Sequence, residues 1–334
     1  MSNPIVVEVL RGARVESFHT GSGAVVDSSG AVVRAFGDVE WPIFPRSAVK
    51  AFQALPLIES GAADIYDLAD SEIALAVASH SGEPEHVALA AAMLAKAGRD
   101  VDALTCGTHA PMNAAAARDL ARSGGAPSAL HNNCSGKHAG FVCLACASGV
   151  SPQGYETPDH FVQKEVRAAI EEVVGETLDD SRRATDGCSI PTYAISLTGL
   201  ARGFARFGTG QGFGPKRAAA ASRIRQAAAA HPFLVAGTGR FDTDVMTLFG
   251  PRAFTKTGAE GVFGAALPEL GLGLAVKADD GAGRAAEVMI AALIGKFLPM
   301  SEAERAGFAS HLAPRLFNWR GIEVGGLRPA AGRS

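Results

Sequence analysis

Ser47 and Lys50 are the pair whose residue types and spacing point most directly to chemistry. On a helix, positions i and i+3 share one face, with Cβ atoms about 5–6 Å apart. A serine hydroxyl becomes a good nucleophile only when a base removes its proton, and a lysine can be that base if burial lowers its pKa. In isolation S-x-x-K is a weak pattern, and an exposed serine beside a solvated lysine is its commoner explanation.

Two further segments favour the chemical interpretation. Ser79 lies in a predicted loop between two helices, and Lys256 begins a K-T-G sequence on a predicted late strand. Serine β-lactamases and penicillin-recognising enzymes carry S-x-x-K, a second serine motif and K-T-G in this order, and the three segments here resemble them in order and context. The alternative for Lys256 is a surface charge that protects an edge strand from aggregation.

The cysteines suggest a metal site. Cys134 lies at a predicted helix start, where the helix dipole favours a thiolate, and Cys188 lies in a glycine-containing turn. Two thiolates suit zinc. Cys143 and Cys146 have the rival C-x-x-C spacing, but they lie in the middle of an apolar helix, so we interpret them, like Cys106, as core residues.

Two other segments are candidates for contact with a substrate. His138 adjoins Lys137 on the same predicted helix and could reach a cleft. The segment 237–242 is rich in glycine, and its backbone N–H groups together with Arg240 could bind a carboxylate. An ordinary turn with a local ion pair explains the second segment equally well.

The elements that must position these residues follow the order β, then helices, then β. Alternating β-branched runs predict strands within 4–40, and they return at 252–256, 261–266, 271–277 and 320–327. Helical periodicity predicts helices at 47–60, 85–97, 135–148, 159–174, 190–205, 216–230 and 284–298. Four glycines within 207–214 predict a mobile loop.

This order predicts an α+β fold. Residues 1–45 and 250–328 form one antiparallel sheet from both ends of the chain, and residues 46–249 form an inserted helical region. We expect 1–334 to be a single catalytic unit with a disordered tail at 329–334.

Composition excludes several classes of function. With 31 basic and 34 acidic residues the net charge is -3, which gives no footprint for nucleic acid or an acidic membrane. No apolar run reaches about 18 residues, and the first residues lack the pattern of a secretory signal. Five cysteines are an odd number, which favours reduced thiols over a disulfide framework. We therefore expect a cytoplasmic protein.

Taken together, the motifs resemble the bacterial L-asparaginase II family of the rhizobial type. The resemblance covers roughly residues 4–328, and the segments that carry it are 45–50, 79–83, 131–138, 186–188 and 256–261. It implies a serine β-lactamase/glutaminase-like fold, a homodimer, and hydrolysis of L-asparagine to L-aspartate and ammonia.

The resemblance also assigns roles to residues. It implies two Ser-Lys tandems, and one zinc ion per chain bound by two cysteines, a lysine and water. The tandems are Ser47–Lys50 and Ser79–Lys256, and the zinc ligands are Cys134, Lys137 and Cys188. We further expect Arg46, His138, Asp186 and Arg240 to bind the substrate.

Three alternatives remain open on the sequence alone. The first is a glutaminase or another small-amide hydrolase, and the second is a penicillin-recognising serine enzyme on the same fold. The third is a catalytically inactive metal-binding or regulatory protein, against which the presence of both Ser-Lys pairs argues.

Overall fold

The computed structural model describes residues 2–330, whose strands form one eight-stranded sheet and one two-stranded ribbon. The strands are β1 (Ile5–Arg11), β2 (Arg14–Asp27), β3 (Val32–Phe36), β4 (Arg183–Thr185), β5 (Pro191–Tyr193), β6 (Phe254–Thr257), β7 (Val262–Leu267), β8 (Leu272–Ala278), β9 (Arg315–Phe317) and β10 (Glu323–Pro329). The α-helices are α1 (Lys50–Gln53), α2 (Leu55–Glu59), α3 (Ala62–Ile65), α4 (Asp70–Ala76), α5 (Pro84–Lys96), α6 (Ala114–Arg122), α7 (Ser135–Ala147), α8 (Phe161–Val174), α9 (Leu197–Thr209), α10 (Pro215–Ala230), α11 (Pro232–Ala236), α12 (Phe241–Phe249), α13 (Gly283–Phe297) and α14 (Glu302–Leu312).

The large sheet joins both ends of the chain. Its strand order is β6-β7-β8-β2-β1-β10-β9, β3 also pairs with β2, and the pairs are antiparallel. The first and last strands are neighbours, with Val7 opposite Pro329 and Val9 opposite Leu327. The helices between β3 and β6 are therefore an insertion into this sheet, and the predicted α+β class is confirmed.

The alternation of side chains along β2 divides the core between the two faces of the sheet. Ala24 and Val26 pack with the helical region, whereas Val25 packs with α13 on the opposite face. Helix α9 lies against β7 and β8 on the first face, and α13 lies against the same strands on the second. Strand β6 ends this sandwich and contacts the 3-10 helix Arg46–Val49, which carries Ser47.

Five of the predicted helices agree with the structure to within two residues at each end: α5, α7, α8, α10 and α13. The longest described helix, α10, has 16 residues. Within residues 2–330 no helix is both long and apolar enough to span a membrane.

The helix predicted at 190–205 is wrong in its first part. Residues Pro191–Tyr193 form β5, which pairs with β4. Helix α9 begins only at Leu197, because the Ser196 hydroxyl accepts a hydrogen bond from the Gly199 amide at 2.9 Å and caps the helix there.

The glycine-rich segment 207–214 is only partly a loop. Phe207 is buried against Phe52 and Phe254, with ring centroids 5.8 and 5.1 Å away, and it stays within α9. Gly210 then ends the helix in a left-handed conformation, φ 76°. The packing of one aromatic side chain overrides the local composition here.

The predicted tail is wrong at its start. Pro329 is the last residue of β10, and the Ala330 amide donates to the Val6 carbonyl at 2.9 Å. Residues 331–334 lie outside the described residues. Helix α14 and strand β9 were not predicted from the sequence.

Gly273 on β8 provides a test of how the helical region packs on the sheet. A methyl group at this position would overlap the backbone of Ala201 and Ala205 in α9. We expect Gly273→Ala to lower the free energy of unfolding by about 1–3 kcal/mol, measured by denaturant titration. Gly283→Ala is the control, because a methyl group there meets no atom within 4 Å; an equal loss in both variants would contradict the close packing.

Candidate active site

Ser47 is presented on a strained turn. It lies in the 3-10 helix Arg46–Val49, which runs directly into α1, so the predicted helix at 47–60 is a series of short helices. Arg46 has φ 52°, a conformation that side-chain-bearing residues rarely adopt, and its Nε pairs with Asp186 Oδ1. Ser47 itself is half-buried. The ion pair therefore fixes the residue that precedes the candidate nucleophile.

Ser79 joins the two lysines of the site. Its Oγ accepts hydrogen bonds from Lys50 Nζ at 3.0 Å and from Lys256 Nζ at 2.9 Å. The exposed fractions of Lys50 and Lys256 are 1% and 0%, so neither a solvated helix lysine nor a surface edge-strand charge describes them. Ser79 thus links Lys50 of the first predicted tandem to Lys256 of the second, and among the described residues it is the serine whose hydroxyl accepts from Lys50 Nζ.

Burial lowers the pKa of both lysines. For Lys256, burial and the positive charges of Lys50 and Arg240 lower the pKa to about 7, against the negative charge of Asp242. For Lys50, burial is the main cause, and the charge of Lys137 adds to it. Lys50 Nζ also donates to the Ala78 carbonyl at 2.5 Å. At neutral pH the cluster can therefore hold an amine ready to accept a proton.

The loop that carries Ser79 is fastened to a second segment, 235–238. The Ser79 amide donates to the Val235 carbonyl at 2.9 Å, and Thr238 donates to the Glu83 carboxylate through its amide and its hydroxyl, both at 2.8 Å. Gly237, with φ 112°, has no room for a side chain, because a methyl group would lie 2.6 Å from Glu83 Oε1. These contacts bring segment 237–242 to the site.

Gly258 of the K-T-G sequence allows the Ser47 turn to approach β6. A methyl group at Gly258 would lie 2.6 Å from the Pro45 carbonyl oxygen, and that atom belongs to the backbone. Close contact between strand and turn brings the segment that carries Lys256 next to the segment that carries Ser47.

Cys134, Lys137 and Cys188 form a second buried cluster. Lys137 Nζ donates to Cys188 Sγ at 2.9 Å. The hydrogen bond with Cys188 lowers the pKa of Cys134, with Lys50 and Lys137 acting in the same direction, and the same bond raises the pKa of Cys188. Burial opposes the charge on Lys137, but the cysteine charges raise the pKa of its amine. Lys137 thus favours negative charge on the cysteine pair, and the pair favours positive charge on Lys137.

This cluster is the donor set that a metal ion could use. Within residues 2–330 no group of three or more His, Cys, Asp and Glu side chains could hold a metal ion, so the third protein donor would be the Lys137 amine. The cluster adjoins the serine site, because Lys50 Nζ donates to the carbonyl of Asn133, next to Cys134, at 3.3 Å. Cys143 and Cys106 lie in the core.

The four predicted substrate-binding residues have different environments. Arg46 and Asp186 lie together beside Ser47, and Arg240 is half-buried near Lys256. His138 is fully buried: its Nδ1 lies 2.5 Å from the Tyr155 hydroxyl, and its Nε2 has no hydrogen-bond partner among the described residues. Burial alone does not separate it from the site, because Lys256 is equally buried, so its contact with substrate stays a prediction.

Sequence analysis missed several groups that complete the site. The carbonyls of Ala78, Asn133 and Val235 carry no signal in residue type, because any residue supplies them. Asp242 was visible as the end of the glycine-rich segment, but its contact with the Thr257 amide, at 3.1 Å, depends on the fold.

Comparison with models of protein families identifies the family of this chain. The family model described as L-asparaginase II matches residues 7–329. The chain belongs to the L-asparaginase II family. The similarity spans the serine cluster, the cysteine cluster and both ends of the sheet, and no curated protein matches the chain.

Two solved structures are similar to this L-asparaginase II family member. One is a variant of simvastatin synthase from Aspergillus terreus, with 12% identity, TM-score 0.40, and coverage of 77% of this chain and 86% of that one. The other is a β-lactamase from Mycobacterium bovis, with 14% identity, TM-score 0.37, and coverage of 84% and 95%. At these TM-scores we draw no conclusion from either.

Proposed function

We propose that this member of the L-asparaginase II family hydrolyses L-asparagine to L-aspartate and ammonia, with Ser47 as the nucleophile. The observation that carries the proposal is the cluster in which Ser79 Oγ accepts hydrogen bonds from two buried lysines beside Ser47. The family and the cluster support a serine-type hydrolase, and the choice of an amide substrate is the proposed step beyond it.

In the first half-reaction, Ser47 Oγ attacks the side-chain amide carbon and its proton passes to neutral Lys50, whose Nζ turns from Ser79 toward Ser47 when substrate binds. The backbone N–H of Ser47 donates to the developing oxyanion. The C–N bond then breaks, and the departing amine receives a proton from the lysine pair through the Ser79 hydroxyl. The products are ammonia and a β-aspartyl ester on Ser47.

In the second half-reaction, water attacks the ester carbon and a neutral lysine of the pair accepts its proton. The ester C–O bond breaks, Ser47 Oγ regains a proton, and L-aspartate leaves. Because the pKa of Lys256 is lowered to about 7, one amine can accept and donate protons in the same cycle.

Charged groups at the rim suit an amino acid substrate. Arg240 is half-buried near Lys256 and is the proposed partner of the α-carboxylate. Arg46 lies beside Ser47 but is already paired with Asp186, so its proposed role is to hold the turn and to add positive charge.

We also propose that Cys134, Lys137 and Cys188 bind one zinc ion, with water as the fourth ligand. Two thiol groups and an amine converge in a buried cluster, and soft thiolates favour zinc. When bound, zinc supplies a fixed positive charge that positions the substrate. Lys137 must lose its proton to bind a metal, so binding releases protons.

The homodimer and the cytoplasmic location remain proposals. The five cysteines are free, as a reducing compartment requires. Light scattering after size-exclusion chromatography measures the mass in solution, and a mass of one chain would contradict the dimer.

Ammonia release tests the proposed reaction. We expect release from L-asparagine, and Ser47→Ala should lower kcat on the order of 10⁴-fold while the fold is kept, because it removes the nucleophile. L-glutamine and D-asparagine are the comparison substrates. A higher kcat/KM for L-glutamine would favour a glutaminase, and a variant that keeps a tenth of the activity would exclude Ser47 from the covalent step.

The shared hydrogen bonds predict strong coupling between Ser79 and Lys256. In a double-mutant cycle with Ser79→Ala and Lys256→Met, the double variant should lose about as much kcat/KM as either single variant, because groups that act as a unit lose their function together. Losses that multiply would show two independent roles and rule out the relay.

Metal analysis tests the zinc site without measuring activity. The wild-type chain should carry about one zinc per protomer, and Cys134→Ser and Cys188→Ser should each lose it, since each removes one of two thiolates. Cys146→Ser is the matched control, because this half-buried cysteine lies at the far end of α7. Full zinc content in the first two variants would show that the ligands are wrong.

A further inference from the structure

The Asp242 carboxyl group is buried behind the strand that carries Lys256. It lies in the first turn of α12, with an exposed fraction of 1%. Its Oδ2 accepts a hydrogen bond from the Thr257 amide at 3.1 Å, whereas its buried Oδ1 has no hydrogen-bond partner among the described residues. The catalytic steps proposed above give this group no role.

Structure alone does not explain a charged group at this position. An asparagine would accept the same hydrogen bond from Thr257, and a buried carboxylate oxygen without a partner is unfavourable. The N-terminus of α12 favours a negative charge, but this effect is modest and would also act on an exposed acid. We therefore expect a negative charge on Asp242 to act on a positively charged group nearby.

Lys256 is that group. It precedes Thr257, and the charges that act on its amine come from several elements: Lys50 on α1, Arg240 before α12, Asp242 on α12 and Cys134 before α7. Burial, Lys50 and Arg240 lower the pKa of Lys256, whereas Asp242 raises it, more strongly than Cys134 does. Of the charges that act on Lys256, that of Asp242 thus favours the protonated amine most strongly.

The groups around Asp242 carry both signs of charge. Arg240 lies two residues before it, and on α13 burial, followed by the charge of Asp242, raises the pKa of Glu287, an effect that Arg240 opposes. Asp244 lies two residues further along the same helix, where its carboxylate is 3.7 Å from His311 of α14. The charge of Asp242 therefore acts on surroundings that contain both Arg240 and Lys256.

We propose that Asp242 is a positioning residue that makes Lys256 a reversible proton carrier. The proposal rests on the role assigned to Lys256 above. Without Asp242, a buried amine among positive charges would bind its proton more weakly, and a smaller fraction of it would be protonated at neutral pH to supply departing ammonia. With it, the amine gains and loses a proton near neutral pH, which is where a general acid–base group is most effective.

The direct test is the titration of Lys256 in the full-length protein without substrate. The protein is labelled with 13C at lysine Cε, the signal is assigned with Lys256→Met, and its pKa is measured by NMR. In the wild type we expect a pKa of about 7. Asp242→Asn keeps the acceptor for Thr257 but removes the charge, so the pKa should fall by about one unit.

Asp244→Asn is the matched control, because it removes a carboxylate from the same helix that is half-exposed and faces His311. It should leave the Lys256 pKa unchanged. In the pH profile of kcat/KM, the acidic limb should move to lower pH by the same amount in Asp242→Asn but not in Asp244→Asn. The reason is that the Lys256 amine of Asp242→Asn stays neutral down to a lower pH.

An unchanged Lys256 pKa in folded Asp242→Asn would overturn the proposal. If that variant does not fold, Asp242→Ser offers the Thr257 amide a smaller neutral acceptor and should give the same fall. If neither variant folds, Asp242 is a structural residue and the proposal is wrong. Because the titration needs no substrate, this outcome is distinguishable from absence of L-asparagine hydrolysis.

Discussion

Two lysine amines share one serine hydroxyl inside this protein, and most of the site follows from that arrangement. Lys50 and Lys256 are both buried and both donate to Ser79 Oγ, so their charges repel in a medium that screens them poorly. Backbone carbonyls, those of Ala78, Asn133 and Thr257, accept further hydrogen bonds from them. Because burial lowers the pKa of both amines, they are held in a state from which proton transfer is possible.

Such a cluster needs three distant parts of the chain to meet, and the antiparallel sheet makes this possible. Strand β6 brings Lys256 to the edge of the sheet, and Gly258 lets the Pro45 carbonyl approach it closely. The positive-φ residues Arg46, Ser189 and Glu260 flank the serine turn, the cysteine turn and the K-T-G strand. The strained backbone at these three positions helps to orient the three segments toward one another.

The cysteine cluster and the lysine cluster are neighbours through a single loop. Asn133 gives its carbonyl to Lys50, and the next residue, Cys134, belongs to the cysteine pair. Under the proposed function, a metal ion bound to the cysteines and the base Lys50 would therefore both contact the Asn133–Cys134 segment of the backbone. This contact offers a physical reason why a zinc ion that only positions substrate could still affect the acid–base chemistry.

The sequence by itself determined the order of the β and helical regions and the types of the reactive groups. Its β segments at both ends predicted the antiparallel sheet, and the motifs that contain Ser47, Lys50, Ser79 and Lys256 predicted a serine site. These features are local or depend on residue type, so period and motif reveal them.

Only the tertiary structure decided which groups meet. It placed the His138 ring against Tyr155, kept Phe207 inside α9, and placed Asp242 behind the strand of Lys256. It also supplied carbonyl acceptors that no residue type signals. Burial and long-range contacts set these outcomes, and neither is a property of a short stretch of sequence.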